Sequence, residues 1–336
     1  MLQNLAFVRF AVVLSSFIAF SAHADTAAPI TEQRDAQAWL KKIQSSAQAL
    51  SYTGTFVYQQ GAQMRTSRIT HVMNGKRELE KLEILDGKPR EYIRNNEEIS
   101  CYLPDSKSIR IEKRVTHDIF PAILGASPDD LAQHYEMRKG ETGRVAGHDV
   151  QSIVLEPKDE LRYGYKLWAE KSTGLLLRAQ TLNEKSDVVE QIAFTEIRIG
   201  HVDPAAVKPS YADTHGWRVE NATMSETDLS GWTVREMPAG FKKIRELKRV
   251  IADSAAPGSN APPTQREVSQ IVYSDGLAAI SIFIEPSTQG RTEGTMQQGA
   301  MNILGKRQGD FWITVVGEVP AAAIRQVANS LEFKSQ

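Results

Sequence analysis

The sequence predicts a mainly antiparallel β protein in two parts. The first is a long meander curled into a barrel or half-barrel under a helical cover; the second is a smaller α+β unit. Three observations carry this. Between Ser51 and Ile199, short runs rich in β-branched and aromatic residues recur with turn dipeptides between them. A single helical stripe precedes them. Around 203–223 the chain turns to Pro204, Pro209 and Gly216 with few large apolar residues, and strand patterning restarts afterwards.

Taken in order, Phe10–Phe20 is an apolar run too short to span about 30 Å of hydrocarbon, and Ala22-His23-Ala24 supplies a cleavage pattern. Residues 1–24 are therefore expected to be a secretory signal. No cysteine follows the run, so lipoprotein processing has no substrate there. Residues 32–50 set Trp39, Ile43, Ala47 and Leu50 on one helical stripe. Tyr52–Gln60 and Met64–Met73 read as strands, and Asn74-Gly75 turns the chain into Lys76–Leu85, which Asp86-Gly87 closes. Arg90–Arg94, Glu97–Leu103 and Lys107–Arg114 continue the meander. Thr116–His134 interrupts it with short helices limited by Pro121 and Pro128. Strands resume at Tyr135–Lys139, Gly147–Pro157, Arg162–Glu170, Gly174–Leu182 and Val188–Ile199. About eleven strands on tight turns cannot lie flat without curling. This places a first domain at 25–202.

A linker at 203–223 leads to a second domain at 224–336. There the pattern gives strands at Gly240–Ile251, Glu267–Ser274 and Leu277–Glu285, with Asp275-Gly276 as a hairpin. A helical piece at Gln298–Arg307, a strand at Phe311–Val316 and a C-terminal helix at Ala321–Leu331 behind Pro320 complete it. Ser254–Pro263 is a low-complexity loop.

Composition excludes several classes of function. With Lys plus Arg at 40 and Asp plus Glu at 41, no global field draws the chain to nucleic acid. Cys101 is the only cysteine, which excludes internal disulfides and cysteine-based metal sites. Neighbours Ile99, Tyr102 and Leu103 make it a small buried hydrophobe. No nucleophile, metal-binding or dinucleotide motif is present, so no catalytic residue, metal site or cofactor is expected. His117 and His134 are too far apart in sequence to suggest a joint metal site. Gly299–Lys306 imitates a phosphate loop but fails on glycine spacing and on Arg307. Glu78 and Glu80 fall on one face of a strand, read as a solvated face rather than an acid pair.

Two features remain as candidate binding elements. Trp39, Ile119, Phe120, Ile123, Leu124 and Leu131 either plug the barrel as plain core or form a movable plug over an acyl-chain cavity. Lys242, Lys243, Arg245, Lys248 and Arg249 form a basic run in one strand, either a charged edge or a surface for an acidic partner. Arg291, in the Gly-rich loop 286–295, joins that candidate partner surface.

Four stretches carry a resemblance. They are Tyr52–Tyr58, Arg162–Trp168 with Thr173–Leu177, Tyr273–Ala278 with Phe283–Glu285, and Val315–Pro320. In this order they resemble the RseB/MucB family of periplasmic negative regulators of the envelope-stress sigma factor. The resemblance implies an N-terminal half-barrel similar to the lipoprotein carriers LolA and LolB, with a helical plug. It also implies a periplasmic location and a partner, the periplasmic segment of a single-span anti-sigma factor, shielded from proteolysis. Mislocalised lipopolysaccharide or acylated lipoprotein would release the shield. A homodimer is left open, and a periplasmic lipid or lipoprotein carrier is the alternative.

Overall fold

The computed structural model describes residues 27–75, 77–113, 127–222, 224–226, 229, 231–252, 265–287 and 290–333. The signal segment 1–24, the loop 254–263, His117 and the candidate plug residues Ile119, Phe120, Ile123 and Leu124 lie outside them.

Helix α1 (Ala27–Ala49) opens the described chain. Strands β1 (Tyr52–Gln60), β2 (Gln63–Asn74), β3 (Arg77–Ile84), β4 (Arg90–Asn95), β5 (Glu98–Leu103) and β6 (Ser108–Lys113) follow as an antiparallel meander. Helix α2 (Pro128–His134) comes next, capped by the Ser127 side chain on Asp130 N. A second meander contains β7 (Tyr135–Val145), β8 (His148–Pro157), β9 (Gly164–Glu170), β10 (Leu176–Leu182) and β11 (Val188–Ile199). Pairing of β1 with β11 merges the meanders into one open sheet, in which β7 stands at one end and β6 is last but one at the other. All eleven strands are therefore where the turn dipeptides place them, with β7 running on past Lys139 through a bulge.

The sheet is curled, not flat. The tip of the β7–β8 hairpin reaches across to β11, where His148 Nε2 lies 3.3 Å from Ile197 O. Val145 and Val150 of that hairpin share one apolar cluster with Tyr52, Phe56, Ile69 and Phe194. Helix α1 buries Ala36, Leu40 and Ile43 against Met137, Ile153, Leu155 and Leu167.

The segment expected to be a linker is packed structure. After a 3₁₀ turn at Pro204–Val207, Val202 and Val207 cover Val72, and Ser210 bonds both Lys81 and Glu91. Tyr211 stacks on Tyr102, and Trp217 meets the Tyr102 ring edge-on. Strand β12 (Arg218–Ala222) then joins β6 in parallel as a twelfth strand. Pro and Gly report an irregular backbone there; they say nothing about how much aromatic surface that backbone buries.

The second sheet has the order β13 (Met224–Glu226), β15 (Lys242–Ala252), β16 (Gln265–Ser274), β17 (Ala279–Pro286), β20 (Phe311–Gly317), β19 (Met301–Gln308) and β18 (Gly294–Gln298). Strand β14 (Trp232–Val234) pairs with β21 (Leu331–Phe333) beside it. Helix α3 (Ala321–Ser330) covers one face, packing Ile324 and Val327 on Ile280, Ile282, Ile313 and Val315.

One expectation fails here. Gln298–Arg307 is not helical: the β18–β19 hairpin turns at Gly299, with φ +58°. The run has helix-favouring residues, but β20 pairs with β19 along its length and overrides that preference. Gly305 is required because a Cβ there would lie 2.8 Å from the Trp312 ring.

Candidate partner-binding surface and interdomain junction

The two resemblance stretches around Arg162 and Asp275 meet between the domains. Arg162, in the β8–β9 turn, is fully buried. Its Nε bonds both Asp159 carboxylate oxygens at 3.0 Å, its Nη1 donates to Asp275 Oδ2 at 3.0 Å, and its Nη2 donates to Ala239 O at 2.5 Å. Asp275 also accepts from Tyr135 OH at 3.2 Å and, through Oδ1, from Leu277 N and Ala278 N. One buried fork thus joins the β8–β9 turn to two loops of the second domain. Burial, with the charge of Asp275 second, pushes the Tyr135 hydroxyl far up, so it is a committed donor.

Other contacts extend the junction. Asn302 Nδ2 bonds Tyr163 OH at 3.0 Å and Val319 O at 2.9 Å. Leu277 enters the first domain's core, and Leu161 packs on the second's. Gly240 has φ +83°, and a Cβ there would lie 2.4 Å from His134 Nε2, so His134 serves domain packing. Glu190 of β11 faces Ala300 and Glu318 of the second domain, with Tyr58 and Gln60 bonding it. Burial, then the Glu318 charge, pushes the Glu190 carboxyl up to about 7. Burial also raises Glu318.

The residues singled out from sequence fall as follows. Leu131 is buried in α2 against α1's core, and Trp39 is half-buried beside it under Lys42, whose Nζ lies 4.8 Å from the ring centroid. Lys242 Nζ lies 3.5 Å from Asp130 Oδ2, an exposed pair linking the two domains. Lys243 pairs with Glu246 at 2.6 Å, and Lys248 with Glu267 at 2.8 Å. Arg245 is half-buried on the same strand. Arg249 is on β15, its side chain outside the described residues. Arg291 pairs with Glu285 and lies over Trp312, 5.4 Å from the ring centroid. Cys101 is half-buried, and burial raises its thiol above the usual range, opposite to an activated nucleophile.

The sequence reading leaves two things out. It takes Asp275-Gly276 as a turn alone and misses its junction with Arg162. It also reads Glu78 and Glu80 as a solvated face. In the structure, β3 pairs with β2 so that His71 stands opposite Glu80, and the donor atoms of His71, Glu78 and Glu80 all lie within 4.8 Å of one another. This is the set of described residues able to hold a metal ion. An empty space of about 340 Å³ lies next to this hairpin, between Leu50, Val72, Met73, His201 and Val202. No described helix is long and apolar enough to cross a membrane.

A family model described as the MucB/RseB N-terminal domain matches residues 35–215, and one for the MucB/RseB C-terminal domain matches 226–332. The sigma factor AlgU regulatory protein MucB of Pseudomonas aeruginosa is 29% identical over 311 residues, 91% of this chain and 93% of that protein. The sigma-E factor regulatory protein RseB of Haemophilus influenzae is 24% identical over 312 residues, 90% of this chain and 93% of its own. The crystal structure of MucB in complex with MucA(peri) matches with a TM-score of 0.68 at 28% identity, covering 90% of this chain and 100% of that one. The Pseudomonas aeruginosa MucA/MucB complex matches with a TM-score of 0.68 at 26% identity, over 90% and 100% of the two chains.

Proposed function

The chain belongs to the MucB/RseB family, and from that premise we propose that it is a non-enzymatic periplasmic regulator of an envelope-stress sigma factor. It binds the periplasmic segment of a single-span anti-sigma factor, shields that segment from regulatory proteolysis, and lets go when lipopolysaccharide or an acylated lipoprotein binds. The observation that carries this reading is the likeness to MucB solved with MucA(peri), which runs through both domains.

We infer a route for coupling. Residues 25–202 hold the lipid-responsive sheet and residues 224–336 the partner-gripping face, with α2 between them. The Lys242–Asp130 and Lys248–Glu267 pairs are exposed, and such pairs contribute about 0–1 kcal/mol each, so acidic side chains of a partner can replace them. Replacing the Lys242 contact severs an interdomain link, so a partner on β15 and a ligand on the first sheet share one junction. Linkage then requires partner and lipid to weaken each other by the same factor, about 5- to 150-fold for an ordinary coupling.

The test is calorimetric titration of the anti-sigma periplasmic segment into the mature chain, alone and with lipid A or an acylated peptide. Binding that weakens at least fivefold with lipid supports the reading. Absence of binding overturns the regulatory role and leaves the carrier reading. Binding indifferent to lipid overturns the sensing step.

A further inference from the structure

We propose that His71, Glu78 and Glu80, on the β2–β3 hairpin, form a binding site for a divalent transition-metal ion of the zinc class. The site is separate from the interdomain junction and from the basic strand β15.

The hairpin builds it locally. Register sets His71 directly opposite Glu80, and pairs Met73 with Glu78, which puts Glu78 on the same face one step diagonally away. Three donor atoms then fall within 4.8 Å of each other with no contribution from a distant loop.

The imidazole is oriented as metal ligands are. Nδ1 lies 2.8 Å from Leu50 O, which can only accept, so the ring proton belongs to Nδ1. Tyr52 stacks on the ring at 5.1 Å between centroids and fixes its rotation. Nε2 therefore faces Glu78 Oε1, 3.3 Å away. A proton on Nε2 bridges the two atoms when no metal is bound, and a metal ion would take that proton's place.

Glu80 makes the second, independent case. It is 5% exposed, and its carboxylate faces His71, Arg94 and Glu78. A carboxylate held this deep needs compensating charge close by. Arg94 stands opposite Glu80 on β4 and is 2% exposed, with Nε and Nη2 unbonded among the described residues.

The donor set selects the metal class. One imidazole with two carboxylates suits zinc, with bonds of about 2.0–2.2 Å. It offers too few oxygens for calcium, which takes about six to eight. Three protein ligands leave the fourth position to water or to a ligand oxygen.

The experiment uses the mature chain, stripped with a chelator and titrated with zinc chloride against a chromophoric competitor. Thermal melts with and without zinc run alongside. The expected result is one bound equivalent, a zinc-dependent rise in Tm, and loss of affinity by at least about tenfold in both Glu78→Gln and Glu80→Gln. Glu78 is 22% exposed, so its variant keeps the fold even if Glu80→Gln does not. No tight equivalent in the unaltered chain overturns the proposal. So does zinc binding that is unchanged in a folded Glu78→Gln variant, which would place the metal elsewhere.

Discussion

Arg162 makes four hydrogen bonds to groups from two domains, and its planar fork fits them because the two carboxylates and one carbonyl lie in different directions around it. Removing one member of a buried pair leaves an uncompensated charge. Arg162→Met is therefore expected to cost about 3–5 kcal/mol in urea denaturation. Arg162→Lys restores little, because an ammonium lacks the fork. A loss below 1 kcal/mol in Arg162→Met would remove this contact from the stability of the junction. The sequence shows Arg162 beginning a strand run and Asp275 in a turn dipeptide. Nothing in spacing along the chain reveals that residues this far apart share a proton-donor network.

Helix α1 is held by the β9–β10 turn as well as by its apolar stripe. Ser46 Oγ donates to Thr173 O at 2.5 Å, and Lys42 Nζ donates to Lys171 O at 2.6 Å. The turn is tightened by Glu170, whose carboxylate accepts from the backbone and side chains of Ser172 and Thr173. Burial raises its pKa, but those hydrogen bonds outweigh it and hold the group down to about 2. Gly174 follows with φ +84°, and a Cβ there would meet Lys42 Cγ at 2.5 Å and Ser46 Oγ at 2.9 Å. Gly174→Ala is thus expected to cost about 1–3 kcal/mol and to raise hydrogen exchange along α1 before the β sheet. Unchanged α1 protection would mean that the apolar stripe alone docks the helix. The Thr173-Gly174 turn and the α1 stripe are both legible in sequence. Their mutual fit is not, because it depends on how the curled sheet presents the turn.

Across the whole molecule, the junction carries two carboxyl groups whose pKa values are raised. Glu190 is pushed up to about 7 by burial and then by Glu318, which burial itself raises. A carboxyl with a raised folded pKa binds its proton more tightly when folded than when unfolded. Its protonated form is fully compatible with folding below the unfolded value of 4.5, and stability falls as pH rises from there to about 7. Docking of the domains is therefore weaker at pH 8 than at pH 5 from this source. Glu190→Gln is expected to raise Tm at pH 8 by about 2–4 °C, the equivalent of about 1 kcal/mol after allowance for solvent screening, and to leave pH 5 nearly unchanged. Equal effects at both pH values would show that the pair does not control the junction.

Alternating strand runs and the dipeptides Asn74-Gly75, Asp86-Gly87 and Asp275-Gly276 specify eleven strands of the first sheet and the 275–276 hairpin from sequence alone, and Pro320 marks the start of the α3 helix. Local backbone preference and side-chain period settle these without knowledge of distant residues. The family, too, is legible in short stretches that later prove to include both halves of the Arg162–Asp275 contact. Tertiary structure decides the rest. Residues 298–307 become a hairpin because β20 offers a strand to pair with, and 203–222 packs because Val72 and Tyr102 offer apolar surface. His71, Glu78 and Glu80 become a cluster because register in β2–β3 brings them together, with His71 and Glu80 buried. Charge proximity and desolvation depend on distance in space, which the order of residues along a chain does not contain.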